Sequence, residues 1–289
     1  MIRTRSLLLA GSLVAGALAG GIAARGAARS LEAWRRPPGS PAEFLRVGRR
    51  PGTHTVVVCA GDSIAHGVVS ASFVEPLRAR LGGDGYAIVN AGINGNLAWN
   101  VLRRLDEVIA CRPDAVTVLV GTNDILGTLG PDWEAMYRRD QGIPSTPTLD
   151  GYLDAMRAIL DRLAAETDAR VAVLDLPPIG EDLGSATNDR VRTYNAALRG
   201  LAAGRAGVTV LPLHDALVGA LPAGHDPRPF DGTRRLMGAA LFRRAALRQP
   251  WSRISAAHGL ALLTDGVHLN DRAAAMVADL IEGWLRAPA

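Results

Sequence analysis

The stretch that decides the fold is VVVCAGDSIAHG, Val56 to Gly67. Four apolar residues run into Ala-Gly-Asp-Ser, which reads as a buried strand ending on a tight turn that delivers Ser63 beyond its carboxyl end. Four more short runs share that apolar character: YAIVN (86–90), AVTVLV (115–120), RVAVLDL (170–176) and VTVLPL (208–213). Helical patterns near 70–82, 98–110, 149–166 and 188–204 separate them, and one near 271–286 closes the chain. Strands covered on both faces and alternating with helices predict an α/β fold, a three-layer, doubly wound sandwich with parallel strands and right-handed crossovers. In open sheets of this kind ligands sit outside the carboxyl ends of the strands, near the switch point. Residues capable of chemistry cluster there: Ser63 after the first strand, Asn90 to Asn96 after the second, and Gly121-Thr122-Asn123-Asp124 after the third.

The charge distribution bears on partners. Residues 1–51 hold 9 of the 32 basic residues and 2 of the 28 acidic ones, leaving 23 Arg against 26 Asp and Glu in the remainder. A nucleic-acid-binding domain carries its basic excess on the folded part, so no nucleic-acid partner is expected. The chain has no Lys, which excludes a Ser–Lys dyad or a Schiff-base lysine. Two cysteines are too few for a disulfide scaffold. Cys59 near the end of the first strand and Cys111 ahead of the third fall at opposite ends of a parallel sheet, so two buried free thiols are expected.

Arg3 and Arg5 precede a charge-free run from Ser6 to Ala24, followed by Arg25 and Arg29. This reads as an export segment over residues 1–30, either a cleaved signal peptide or a retained membrane anchor. Residues 31–51, with RRPPGSP, read as a linker, and 52–289 as the catalytic domain. The protein is accordingly expected outside the cytoplasm, with membrane association through its N-terminal segment in the case that the segment is retained.

A serine hydroxyl is a poor nucleophile without a base, and the base needs an orienting partner. Among six histidines, His268 in LLTDGVHLND has the best setting, because Asp265 precedes it by three residues in a Gly-containing loop. A tetrahedral intermediate also needs donors aimed at its oxyanion. The Ser63 N–H, Gly95 in NAGINGN and Asn123 in GTND are the candidates. No group of His, Cys and Asp has metal-ligand spacing, and no G-x-S-x-G of the α/β-hydrolase type occurs.

The succession GDS, NAGINGN, GTND and DGVH, in that order over residues 54–286, resembles the sequence blocks of the SGNH, or GDSL-type, hydrolase family. The resemblance implies a flavodoxin-like sandwich of five parallel strands and hydrolysis of esters or thioesters without metal or organic cofactor. It implies Ser63 as nucleophile, His268 as general base and then acid, and Asp265 orienting His268, with Ser63 N–H, Gly95 and Asn123 as the oxyanion hole. The expected activity is that of a serine esterase acting on acyl or acetyl esters, small-molecule or lipid. The alternatives are a cell-wall carbohydrate deacetylase and a non-catalytic surface binding module, the latter needing a broken motif where every block is intact.

Other residues read as structural. Asp62 and Asp124 are expected to hold their loops through backbone N–H groups, and His66, His214 and Asp215 to play no part in chemistry. Three segments are expected around the site. Ile125 to Pro147, with Leu126, Leu129, Trp133, Met136 and Tyr137, reads as a long loop walling the acyl pocket. LPPIGEDLGS (176–185) reads as a rigid rim. Phe230 to Gly259 reads as helix packed on the domain with solvated arginines, in preference to a basic helix resting on a membrane.

Overall fold

The computed structural model of the protein describes residues 36–226 and 228–288, so residues 1–30, read as an export segment, and the start of the stretch read as linker lie outside the described residues. In chain order the elements are α1 (Pro41–Val47), β1 (Thr55–Gly61), α2 (Ser63–His66), α3 (Val74–Leu81), β2 (Tyr86–Gly92), α4 (Ala98–Arg103), α5 (Leu105–Ala110), β3 (Ala115–Leu119), α6 (Thr122–Leu126), α7 (Pro131–Gln141), α8 (Leu149–Glu166), β4 (Arg170–Leu174), α9 (Ala186–Ala202), β5 (Val208–Leu211), α10 (Leu213–Ala220), α11 (Arg234–Leu247), α12 (Trp251–Ala257) and α13 (Asp271–Arg286).

All five strands are parallel, in the order β2-β1-β3-β4-β5. Chain order reverses at β1, which lies between β2 and β3, and this is the switch point at which the fold opens a crevice. Side chains alternate along β1. Val56, Val58 and Ala60 join the core layer of Val101, Leu105, Tyr152, Met156, Ile159 and Leu198. Val57 and Cys59 join the opposite layer of Phe73, Leu77, Leu213, Val277 and Ile281. The two-residue period of the strand thus serves both layers at once.

The helix expected over 98–110 is interrupted at Arg104, whose backbone leaves helical geometry between α4 and α5. The segment read as a loop, 125–147, is largely helical, formed by the end of α6 and by α7. Gly130 and Pro131 account for the latter: Pro at the first helical position needs no N–H partner. Part of the stretch read as linker is also helical. In α1, Phe44 packs against the core, and Gly39 O accepts the Asn90 N–H at 2.9 Å. Both cysteines are free and buried, and burial pushes each thiol up to about 11, which leaves them protonated and inert. Among the described residues no helix is long and apolar enough to cross a membrane.

Candidate active site

The carboxyl end of β1 passes directly into Asp62 and α2. Asp62 caps this short helix, its Oδ1 accepting the Ile64 N–H at 2.9 Å, which places Ser63 on the first helical residue. From the far end of the chain, the loop 264–270 returns His268 to the same crevice. His268 Nε2 lies 2.9 Å from Ser63 Oγ, and Nδ1 lies 2.8 Å from Asp265 Oδ2. The other carboxylate oxygen of Asp265 accepts the backbone N–H groups of Val267 and His268 at 3.1 and 2.9 Å, folding the loop on itself. Gly266 makes that turn possible. Its φ is +91°, and a Cβ there would stand 2.8 Å from the Phe230 ring.

The electrostatics follow from burial and pairing. Burial alone would penalise an imidazolium, but the charge and hydrogen bond of Asp265, with the charge of Asp62, outweigh it and hold His268 above its ordinary value. Burial raises Asp62 to about 6 and Asp124 to about 7. Asp124 Oδ2 accepts the Ala98 N–H at 3.1 Å, so it ties α6 to the start of α4 as the sequence implies.

Gly95 comes from the loop after β2 and Asn123 from the first turn of α6, just after β3, and both line one cavity with Ser63 and His268. The φ of Gly95 is +76°, and a Cβ on it would stand 2.4 Å from Gln141 Nε2. Asn123 Nδ2 donates to Asn96 O at 2.9 Å and faces Asp62 Oδ2 at 3.4 Å, while its Oδ1 accepts from Tyr137 Oη at 2.7 Å. Four of the five residues singled out from the sequence therefore line one cavity, and the fifth, Asp265, stands behind it against His268.

The cavity measures about 320 Å³, and its walls are mostly apolar: Val69, Leu126, Trp133, Met136, Met237 and Leu241. The expectation for 125–147 holds for Leu126, Trp133, Met136 and Tyr137, whereas Leu129 packs against the core instead. In the Phe230–Gly259 segment α11 is packed on the domain, and it does more than cover it: Met237 and Leu241 close the cavity. The stretch 176–185 is not a rim. It lies against the loop that carries His268, with the Gly180 N–H donating to Gly266 O at 2.6 Å. His66, His214 and Asp215 stand outside the cavity lining. His66 ends α2, where Asn90 Nδ2 reaches the carbonyls of Ala65 and His66.

Three supporting residues escape a sequence reading. Arg104, at the break between α4 and α5, joins Asn96 Oδ1 at 2.8 Å to the carbonyl of Gly61 at 2.8 Å, linking the loop after β2 to the turn before Ser63. Ser70 Oγ accepts the Leu269 N–H at 3.1 Å, fastening the loop after α2 to the His268 loop. Glu181, fully buried, accepts the N–H groups of Ala261, Leu262 and Leu263, each at 2.8 Å, and pairs with His225 Nε2 at 2.6 Å. None belongs to a periodic pattern or motif, and their partners are remote in sequence. Glu181→Ala would leave two buried donors and one part-buried donor without an acceptor. The expected outcome is a loss of about 3 kcal/mol of stability in denaturant unfolding, with a lower kcat.

The five-stranded parallel α/β sandwich, with Ser63, His268 and Asp265 in hydrogen-bonded succession beyond its switch point, has the layered fold of the SGNH hydrolases. The chain belongs to the GDSL-like lipase/acylhydrolase family, whose model matches residues 59–276. It is an ester-hydrolysing enzyme of that family. Among solved structures it is similar to the acetyl xylan esterase AlAXEase, with a TM-score of 0.54 and 19% identity over 80% of this chain and 99% of the other. The acetylxylan esterase Axe2 of Geobacillus stearothermophilus gives 0.54 and 18% over 82% and 96%. LAE5, an alpha/beta hydrolase enzyme from the metagenome of Lake Arreo, Spain, gives 0.51 and 18% over 82% and 97%. These likenesses are of fold. No curated protein matches the chain in sequence.

Proposed function

We propose that the protein is a serine esterase that cleaves carboxylic esters through an acyl-enzyme on Ser63. The observation that carries this reading is the 2.9 Å approach of Ser63 Oγ to an imidazole held on its other side by Asp265. Ser63 Oγ attacks the acyl carbon as its proton passes to His268 Nε2, and the Asp265 carboxylate stabilises the imidazolium that forms. The carbonyl oxygen becomes an oxyanion that receives the N–H groups of Ser63 and Gly95 and the Nδ2–H of Asn123. The C–O bond to the leaving alcohol breaks as His268 returns the proton to it. Water then gives a proton to His268 and attacks the acyl carbon; the C–O bond to Ser63 Oγ breaks as His268 returns the proton to Oγ, releasing the acid and the free Ser63 hydroxyl. On the reading of residues 1–30 as an export segment, the enzyme meets its substrate outside the cytoplasm.

The apolar walls from α7 and α11 suit a hydrocarbon acyl chain of several carbons. Removal of acetyl groups from a carbohydrate is the second reading. It draws on the names of the acetylxylan esterase neighbours and on Asn94, Asp140 and Gln141 in the cavity lining. A series of p-nitrophenyl esters from acetate to octanoate, run beside acetylated xylan, separates the two. The acyl-chain reading expects kcat/KM to rise beyond acetate; activity confined to acetyl esters and the polysaccharide would favour the deacetylase. A fluorophosphonate probe should label Ser63 alone, and a label elsewhere would overturn the mechanism.

The pH profile provides a further expectation. Catalysis needs neutral His268, and its value is raised, so kcat/KM should fall as pH drops through a midpoint above the ordinary 6.5. Asp265→Asn removes the charge responsible and should move that midpoint down while lowering kcat. An unmoved acid limb would show that another group controls it.

A further inference from the structure

We propose that Tyr137 is a positioning residue for the oxyanion hole, fixing the amide of Asn123 so that its N–H, and not its carbonyl, faces the reacting oxygen. The inference rests on the reading of Asn123 as an oxyanion donor. An Asn side chain presents two nearly isosteric ends, and if it turned over, an acceptor would meet the developing negative charge. Three contacts oppose that rotation. Asn96 O, 2.9 Å from Nδ2, and Asp62 Oδ2, a long 3.4 Å from it and replaceable by a reacting oxygen, require a donor on their side. The Tyr137 hydroxyl, donating at 2.7 Å, meets Oδ1 on the other.

The hydroxyl suits the task. Tyr137 is 3% exposed, and burial, with the nearby charges of Asp62 and Asp124, pushes its phenol well above the usual range, so it remains a neutral donor. Donation to Oδ1 also polarises the amide and strengthens the Nδ2–H as a donor, because hydrogen bonds in series reinforce one another.

The rest of α7 points the same way. One turn beyond Tyr137, Gln141 Oε1 accepts from Asn96 Nδ2 at 3.1 Å, its carbonyl accepts from Asn100 Nδ2 at 2.9 Å, and its Nε2 reaches Asn94 O at 3.4 Å. Asn94 and Asn96 flank Gly95, so one helix holds the loops that carry both side-chain and backbone donors. Trp133 and Met136 of the same helix wall the cavity. The insertion after β3 thus shapes the substrate site and sets the hole with one rigid element.

The test is a double-mutant cycle of Tyr137→Phe and Asn123→Ala, measured as kcat and KM on one p-nitrophenyl ester. Tyr137→Phe removes only the hydroxyl. It should lower kcat about tenfold, a fraction of the effect of losing the donor outright, with KM changed less than about twofold. In the Asn123→Ala background the same change should have almost no further effect, because it acts through an amide that is gone. An unchanged kcat, or a full tenfold loss in both backgrounds, would overturn the proposal. Fluorotyrosines at position 137 provide a second reading if the Phe variant is poorly folded. They keep the hydroxyl and acidify it, so kcat should track phenol acidity while KM and the thermal midpoint stay constant; no correlation would overturn the assignment. Ser63→Ala serves as the reference, since activity retained there would refute the serine mechanism itself, independently of Tyr137.

Discussion

Ser63→Ala should reduce kcat by roughly a millionfold, to near background, because on the proposed mechanism it removes the nucleophile and with it the acyl-enzyme route. The fold should survive. Ser63 lines a cavity, its side chain makes the hydrogen bond to His268, and β1 and the Asp62 cap of α2 do not depend on the hydroxyl. Thermal unfolding should therefore shift by about 1 kcal/mol or less, the worth of one neutral hydrogen bond. The pairing of a dead enzyme with an unchanged melting curve is the signature; turnover retained at a substantial fraction would place the nucleophile elsewhere.

Asn123→Ala should lower kcat by about a hundredfold to a thousandfold, the usual effect of deleting one oxyanion donor, while KM changes little. The donor acts on charge that exists only in the transition state, so the loss belongs to kcat. Stability should also fall by about 1–3 kcal/mol, since Tyr137 Oη and Asn96 O lose their buried partner. Steady-state kinetics beside denaturant unfolding separates the two effects. A kcat near that of the unaltered enzyme would remove Asn123 from the hole.

The parts of the site legible in the sequence are those fixed by local chemistry. Gly61-Asp62-Ser63 is a strand end with its own helix cap, and Asp265 reaches His268 across a three-residue turn. Gly95 is in the left-handed region, a conformation glycine adopts without strain. Each signal depends on neighbours in the chain, so a short quotation carries it. Arg104, Glu181 and Tyr137 differ in kind. Each is an ordinary residue of a helix or loop, and its role arises from partners 43, 80 to 82 and 14 residues away, respectively. No period or spacing announces such contacts.

The segment after β3 illustrates the same division. Its apolar residues marked it as a pocket wall, yet its length suggested a loop where α7 forms. The stretch 176–185 read as a rim, but what it supports depended on where Gly266 and the backbone of 261–263 arrive from the far end of the chain.

By itself the sequence determined the parallel α/β layering, the order of the five strands along the chain, and the residue types gathered at the strand ends, because hydrophobic period and turn chemistry are local properties. Tertiary structure alone decided that Ser63 and His268, 205 positions apart, stand at hydrogen-bonding distance. It also decided that α7 and α11 close an apolar cavity over them. Those relations are set by how the crossovers pack, and packing is a property of the whole chain.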